Sequence, residues 1–167
     1  MTVTLDELNA LDCDRFVEMI GWVFEHSPWV AERTWPHRPF ASVDALHHAI
    51  TEEMLGASAA EQLALLRAHP DLGARARMTE SSTREQSGAG LDRLSRDAFD
   101  RLQRLNAAYQ AKFGFPFLYA VKGSTANEIL SALDARSRNT AEAEFAEALR
   151  QVSRIALFRL SETITEP

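Results

Sequence analysis

The chain has 167 residues, which is enough for one domain with a buried core. Its net charge of −6 gives no general attraction for nucleic acid or an anionic membrane. The single cysteine, Cys13, cannot form an internal disulfide, and no cysteine–histidine spacing predicts a metal site. There is neither a signal-peptide pattern nor an apolar run of membrane-spanning length, so we expect a cytoplasmic protein.

The first distinctive segment is SPWVAERTWPHRPFASV, residues 27–43, which holds three prolines and two tryptophans. This composition predicts an irregular, packed loop. Farther along, Ser58 and Glu61 have the spacing of a capping box and predict a helix that begins with AAEQLALLRA. His69-Pro70 ends that helix, because proline disfavours helical angles at the residue before it.

His69 stands in the stretch RAHPDLG, residues 67–73, where the proline restricts its backbone. Two interpretations remain open from the residues alone. The ring could simply end a helix, where the helix dipole favours partial positive charge. It could also be an acid or base held in a fixed position, since the pKa of histidine is ordinarily near ~6.5.

Ser82, Glu85 and Gln86 follow at i, i+3 and i+4, so in a helix they share one face. Ser-x-x-Glu is itself a capping box, which is the structural alternative. Gln86 adds an amide donor and acceptor beside the carboxylate, and such a cluster suits a flat heterocycle with N–H and C=O groups.

An amphipathic helix is predicted from residue 91 to Phe113, with its apolar stripe at Leu94, Ala98, Leu102, Leu105 and Tyr109. The segment FGFPFLYAVKG, residues 113–123, resembles a buried strand, but nothing else alternates with period two. We therefore predict an all-α, single-domain helical bundle over residues 1–167, with this segment as an extended connector and no sheet. An α/β fold is the weaker option.

Thr125 and Glu128 predict the start of a short helix, and a last helix is predicted over residues 140–163. Arg159 lies on or beside the apolar stripe of this last helix. Its stem could pack while its head reaches water, or its guanidinium could point into a pocket and bind a carboxylate or carbonyl pair.

Taken together, RAHPDLG, Ser82-Thr-Arg-Glu85-Gln86, GAGL and LNAAYQAKFGFPF resemble the OHCU decarboxylases of urate catabolism. The FEHSPWVAERTWPHRPF segment and the closing RIALFRL also fit, so the similarity runs nearly end to end. It implies an all-α fold, no cofactor, a homodimer, and decarboxylation of 2-oxo-4-hydroxy-4-carboxy-5-ureidoimidazoline (OHCU) to (S)-allantoin.

The resemblance also implies a set of site residues. His69 and Glu85 match the catalytic positions, with no metal. The positions that match substrate contacts are Pro70, Ser82, Thr83, Arg84, Glu85, Gln86, Phe117, Leu118, Tyr119, Ala120, Val121 and Arg159. In the segment Phe117 to Val121 the contacts would come from backbone groups.

Two alternatives stay open at this point. One is a lyase or hydrolase that acts on another ureido or hydantoin intermediate of purine degradation. The other is a non-enzymatic helical interaction module whose FGFPFLY segment docks a partner. Burial separates the second from an enzyme, because a docking segment lies on the surface.

Overall fold

The computed structural model describes residues 1–73 and 80–167 and is mostly helical. The helices are α1 (Leu5–Ala10), α2 (Cys13–Ile20), α3 (Trp29–Thr34), α4 (Val43–Leu55), α5 (Ala59–Ala68), α6 (Glu80–Gly88), α7 (Arg96–Phe113), α8 (Ala126–Arg136) and α9 (Ala141–Thr163). Short 3₁₀ turns lie at Gly21–Val23 and Trp35–His37. In the described part of the chain, no helix is long and apolar enough to cross a bilayer.

A small parallel sheet joins the two ends of the described chain. Strand β1 (Val3–Thr4) pairs with β2 (Ile164–Thr165), so that Val3 faces Ile164. The expectation of a fold without a sheet is therefore wrong. Each strand has only two residues, too few for an alternating pattern to be visible in the sequence.

Residues 27–43 are more regular than expected, because they contain α3 and the 3₁₀ turn at Trp35–His37. Pro28 stands at the N-cap of α3, and Pro36 falls in the first turn of the 3₁₀ helix. The N–H groups at a helix start have no intrahelical partner, so proline is tolerated there and does not imply a loop. The prediction of an irregular loop is wrong for this segment.

The predicted helix starts are confirmed where a capping side chain is present. Ser58 and Glu61 form reciprocal hydrogen bonds at the start of α5, and Thr125 and Glu128 do so at α8. Helix α7 begins at Arg96, later than residue 91, because the Ser95 hydroxyl accepts from Ala98 N–H and fixes the start there.

Two compact units divide the structure. Unit 1 comprises Met1–Ala68 and Val152–Pro167, and unit 2 comprises His69–Gln151. The core of unit 1 is apolar and includes Leu8, Phe16, Ile20, Leu46, Ile50, Met54 and Leu160. The core of unit 2 is rich in aromatic residues and includes Leu102, Tyr109, Phe115, Phe117, Ile129 and Leu133.

Candidate active site

His69 is the first residue of unit 2 and follows directly after α5. Its side chain is buried, with only 5% of the residue exposed. A histidine whose only role is to end a helix can remain in water, and burial of a polar ring has to be compensated by other interactions. The structure thus favours a specific role for the ring over the simple helix terminator.

Two amide side chains hold the loop that follows His69. Asn106 Nδ2 donates to the carbonyl of Leu72 at 3.0 Å, and the N–H of Gly73 donates to Gln86 Oε1 at 2.8 Å. Gly73 has a φ of +77°, and a Cβ added there would come within 3.0 Å of Leu102 Cδ2. Only glycine suits that position. The hydrogen bonds at Leu72 and Gly73 hold the backbone of the loop after His69.

Helix α6 carries the predicted cluster of polar side chains. Ser82 and Gln86 are buried and Glu85 is half-buried, whereas Thr83 and Arg84 are exposed. Because α6 begins at Glu80, Ser82 lies inside the helix and is not its N-cap. The capping-box alternative for Ser82 and Glu85 is therefore wrong, and their spacing places them with Gln86 on one face.

The segment Phe117 to Val121 belongs to neither a helix nor a strand, and most of it is buried. Phe117 meets the ring of Tyr109 edge-on, with centroids 5.4 Å apart, and stacks on Tyr119 at 6.0 Å. The aromatic face required for docking a partner is thus mostly used in packing within unit 2. This observation disfavours the interaction module.

Two side chains bind the backbone of this segment. Arg136 Nη1 donates to the carbonyl of Leu118 at 2.7 Å, and Gln151 Oε1 accepts from the N–H of Ala120 at 2.9 Å. Gln151 Nε2 donates in turn to Glu147 at 2.8 Å, which sets the orientation of the amide. The segment is therefore held at two successive peptide groups.

Arg136 is itself held by the fully buried carboxylate of Glu144, with Nη2 3.0 Å from Oε2. Glu144 also accepts from the Tyr109 hydroxyl and from Asn139 Nδ2, so its charge is compensated on several sides. Burial, together with the hydrogen bond to Glu144, raises the pKa of Tyr109 well above its usual range. The phenol therefore stays a donor at any physiological pH.

Arg159 belongs to unit 1 and is almost completely buried. Its Nη2 lies 3.0 Å from Glu25 Oε1, its Nη1 donates to the carbonyl of Val23, and its guanidinium lies 5.7 Å from the centroid of the Trp22 ring. The head does not reach water, so the snorkelling explanation is wrong. This is a guanidinium held in place by a carboxylate.

The residues thus form three arrangements, each within one unit. In unit 2, Gln86 is bonded to the His69–Gly73 loop, and Phe117 to Val121 is bonded to Arg136 and Gln151. In unit 1, Arg159 is paired with Glu25. Among the described residues, no group of three or more histidine, cysteine or acidic side chains is arranged to hold a metal ion.

Sequence reasoning missed Asn106, Arg136 and Gln151. Asn106 carries a detectable signal, because it lies four residues after Leu102 and three before Tyr109, on the apolar stripe of α7. A short amide on a buried helix face implies a hydrogen bond to be satisfied there. Arg136 and Gln151 stand among many other polar helix residues, and nothing local marks them.

Comparison with known proteins identifies the family. A model of the OHCU decarboxylase family matches residues 9–161. OHCU decarboxylases of Halalkalicoccus jeotgali and Haloferax volcanii are 47% and 48% identical to this chain over 160 residues. These alignments cover 96% of this chain and 91% and 95% of the relatives.

Longer relatives and solved structures agree with this match. The uric acid degradation bifunctional protein PucL of Bacillus subtilis is 43% identical over 163 residues. This alignment covers 98% of this chain and 33% of PucL. A crystal structure of (S)-allantoin synthase superposes with a TM-score of 0.81 at 31% identity, covering 97% of this chain and 54% of that one. The chain belongs to the OHCU decarboxylase family.

Proposed function

We propose that this protein decarboxylates OHCU to (S)-allantoin, the last step from urate to allantoin. The observation that carries the proposal is the buried histidine, His69, on a loop that is fixed by the buried amides of Gln86 and Asn106. Membership of the OHCU decarboxylase family supplies the substrate. We further propose that residues 1–167 form a single domain of this family, because the family model spans both units.

The chemistry of the substrate explains what the residues have to do. Loss of CO₂ from C4 leaves an electron pair, which forms a C4–C5 double bond while the adjacent C=N pair moves onto nitrogen and takes up a proton. Protonation at C5 and loss of the C4 hydroxyl proton then give allantoin. A group that exchanges protons near neutral pH is needed on one face of the ring, and His69 has that chemistry.

The remaining residues bind and orient the ring. Glu85 would accept hydrogen bonds from ring or ureido N–H groups, while Ser82 and Gln86 would hold the plane of the ring beside it. Pro70 would fix the direction of the His69 side chain. Backbone groups of Phe117 to Val121 would stabilise negative charge on oxygen, where one well-placed donor contributes about 3 kcal/mol to lowering the barrier. For Arg159, the family resemblance implies a contact with the substrate. The family resemblance adds Thr83 and Arg84, whose side chains are exposed on α6.

The proposal is tested by optical activity, because OHCU also decays spontaneously to racemic allantoin. Fresh OHCU is made from urate with the two upstream enzymes and followed by circular dichroism with and without this protein. We expect a dichroism signal of (S)-allantoin only with the protein. Equal traces would contradict the proposed activity, and a signal from a different ureido or hydantoin substrate would favour the related hydrolase or lyase.

His69→Asn tests the role of the histidine in the same assay. We expect loss of (S)-allantoin formation with little change in melting temperature, because asparagine keeps a polar side chain but cannot exchange a proton near neutral pH. His48→Asn on the exposed side of α4 is the matched control and should retain full activity. Activity of His69→Asn near that of the wild type would disprove the proton-transfer role.

We also propose a cytoplasmic homodimer that works without a cofactor. The support is the family resemblance, together with the electron sink that the substrate ring itself provides. The −6 net charge argues against nucleic acid or an anionic membrane as a partner. Sedimentation equilibrium over a range of protein concentrations would test the dimer, since a monomer mass of 18.7 kDa at every concentration contradicts it.

A further inference from the structure

The backbone of Phe117 to Val121 is bound by side chains at two adjacent peptide groups, and Tyr119 lies between them. One peptide group joins Leu118 to Tyr119, and its carbonyl accepts from Arg136 at 2.7 Å. The next joins Tyr119 to Ala120, and its N–H donates to Gln151 at 2.9 Å. In a planar trans peptide the C=O and N–H point in opposite directions.

The opposite ends of both peptide groups belong to Tyr119, and no hydrogen bond to either end is found among the described residues. The N–H of Tyr119 points away from Arg136, and its C=O points away from Gln151. A hydrogen bond at one end of a peptide polarises the group and strengthens the hydrogen bond at the other end. Since the bond from Arg136 is charge-assisted, the Tyr119 N–H becomes the stronger donor.

Each of the two side chains is backed by a carboxylate. Glu144 holds the Arg136 guanidinium through Nε and Nη2, which leaves Nη1 directed at Leu118. Glu147 accepts from Gln151 Nε2, which leaves Oε1 directed at Ala120. Burial raises the pKa of Glu147, but hydrogen bonds from Gln151 and Arg150 outweigh that effect, and its pKa is lowered overall. The carboxylate is therefore ionised at neutral pH and keeps the amide in this orientation.

We propose that Arg136 and Gln151 are positioning residues that present the main-chain N–H and C=O of Tyr119 as a polarised donor and acceptor pair for the substrate. An N–H beside a C=O is the complement of the ureido and cyclic urea groups of OHCU, which carry the same two functions. The proposal rests on the proposed function and specifies which peptide groups of the segment serve it.

The test combines kinetics with amide spectra of three variants. Arg136→Lys keeps the positive charge beside Glu144 but cannot bind the carboxylate and Leu118 together. Gln151→Met keeps the size of the side chain and removes the acceptor for Ala120, with no charge left unpaired. Arg138→Met is the control, because Arg138 lies just beyond α8 with its side chain 75% exposed and pairs only with Asp134 among the bonds described.

We expect kcat/KM for fresh OHCU to fall about tenfold or more in Arg136→Lys and Gln151→Met, because a weakened donor costs less than the hundredfold typical of a deleted one. The amide proton of Tyr119 should move upfield in Arg136→Lys, and that of Ala120 should do so in Gln151→Met. Arg138→Met should keep both shifts and stay within twofold of wild-type activity.

Folded variants that keep kcat/KM within twofold of the wild type would overturn the proposal, as would tenfold losses accompanied by unchanged amide shifts. If Arg136→Lys does not fold, Gln151→Met decides on the same two criteria. The proposed function is judged separately, by the wild-type protein. No turnover of OHCU by the wild type defeats that function, whereas an active wild type with unaffected variants defeats only the inference.

Discussion

Arg159 and Glu25 form a buried ion pair in which each charge is compensated by the other. Both side chains are at most 3% exposed, so neither charge is compensated by water. Removal of one member of such a pair leaves the other charge uncompensated in a medium of low polarity. We therefore expect loss of either member to destabilise the protein, independently of any contact that Arg159 makes with a ligand.

Glu25→Ala should therefore destabilise the protein by about 3 kcal/mol, the usual cost of breaking a buried ion pair. Glu18→Ala is the matched control, since its pair with Arg15 is 68% exposed on both sides and contributes well under ~1 kcal/mol. Urea unfolding curves of the two variants measure both values. Equal, small effects would show that water reaches the Arg159–Glu25 pair.

The raised pKa of Tyr109 predicts how the free energy of unfolding changes at alkaline pH. Burial and the hydrogen bond to Glu144 raise its pKa in the folded state, while an unfolded tyrosine ionises near ~10. The folded state thus holds a proton that the unfolded state loses, so this contribution is complete below pH ~10 and is lost as the pH rises above it. The loss is at most about 1.4 kcal/mol per pH unit.

Tyr109→Phe removes that proton from both states. Its free energy of unfolding should be lower than that of the wild type at pH 8, because the bond to Glu144 is gone, and the difference should shrink between pH 10 and pH 11.5. Chemical unfolding of both proteins across this pH range measures the difference in free energy of unfolding. Titration of the other groups affects both proteins equally and cancels in this difference. A difference that stays constant with pH would contradict the raised pKa.

At the scale of the helix, capping boxes set where several elements begin. Thr125 accepts from Glu128 N–H at 3.3 Å, and Glu128 accepts from Thr125 N–H at 2.9 Å, which fixes the start of α8. This helix ends at Arg136, the residue that binds Leu118. The cap therefore stabilises the helix on which a positioning residue lies.

Thr125→Ala should lower the free energy of unfolding by about 1 kcal/mol, the typical value of a lost N-cap. Ser131→Ala is the control in the same helix, because Ser131 is exposed in the helix interior and alanine is the better helix former. The free energy of unfolding of Ser131→Ala should equal that of the wild type or be slightly higher. Thermal unfolding monitored by circular dichroism separates the two, and equal losses would show that the cap has no special role.

Local signals account for much of the helical structure and for little of its cross-connections. Capping side chains predict α5 and α8, and the spacing of Ser82 and Gln86 predicts that they share one face of α6, where the structure shows both buried. The prediction of a loop fails for the proline-rich segment because proline is common both in loops and at the start of a helix, where Pro28 stands. The contacts from Arg136 to Leu118 and from Asn106 to Leu72 join distant residues, and no local pattern encodes them.

At the scale of the whole molecule, the two ends of the chain complete the same unit. The chain leaves unit 1 after Ala68 and returns to it at Val152, and β2 then pairs with β1. Glu166 also accepts from the N–H of Val43 at the start of α4. The last residues of the chain are thus part of the fold of unit 1, and Ile164 is 4% exposed.

Ile164→Ala should destabilise the protein by about 2–4 kcal/mol, because truncation of a buried isoleucine removes apolar burial and leaves a cavity. Thr165→Ala, at the exposed neighbouring position, should cost less than ~0.5 kcal/mol. Hydrogen exchange adds a spatial readout, since weaker pairing of β2 should also expose the amides of Val3 and of α1, far away in sequence. Faster exchange confined to residues 160–167 would show that the strand pair does not hold the beginning of the chain, and unit 1 would then be closed by its helices alone.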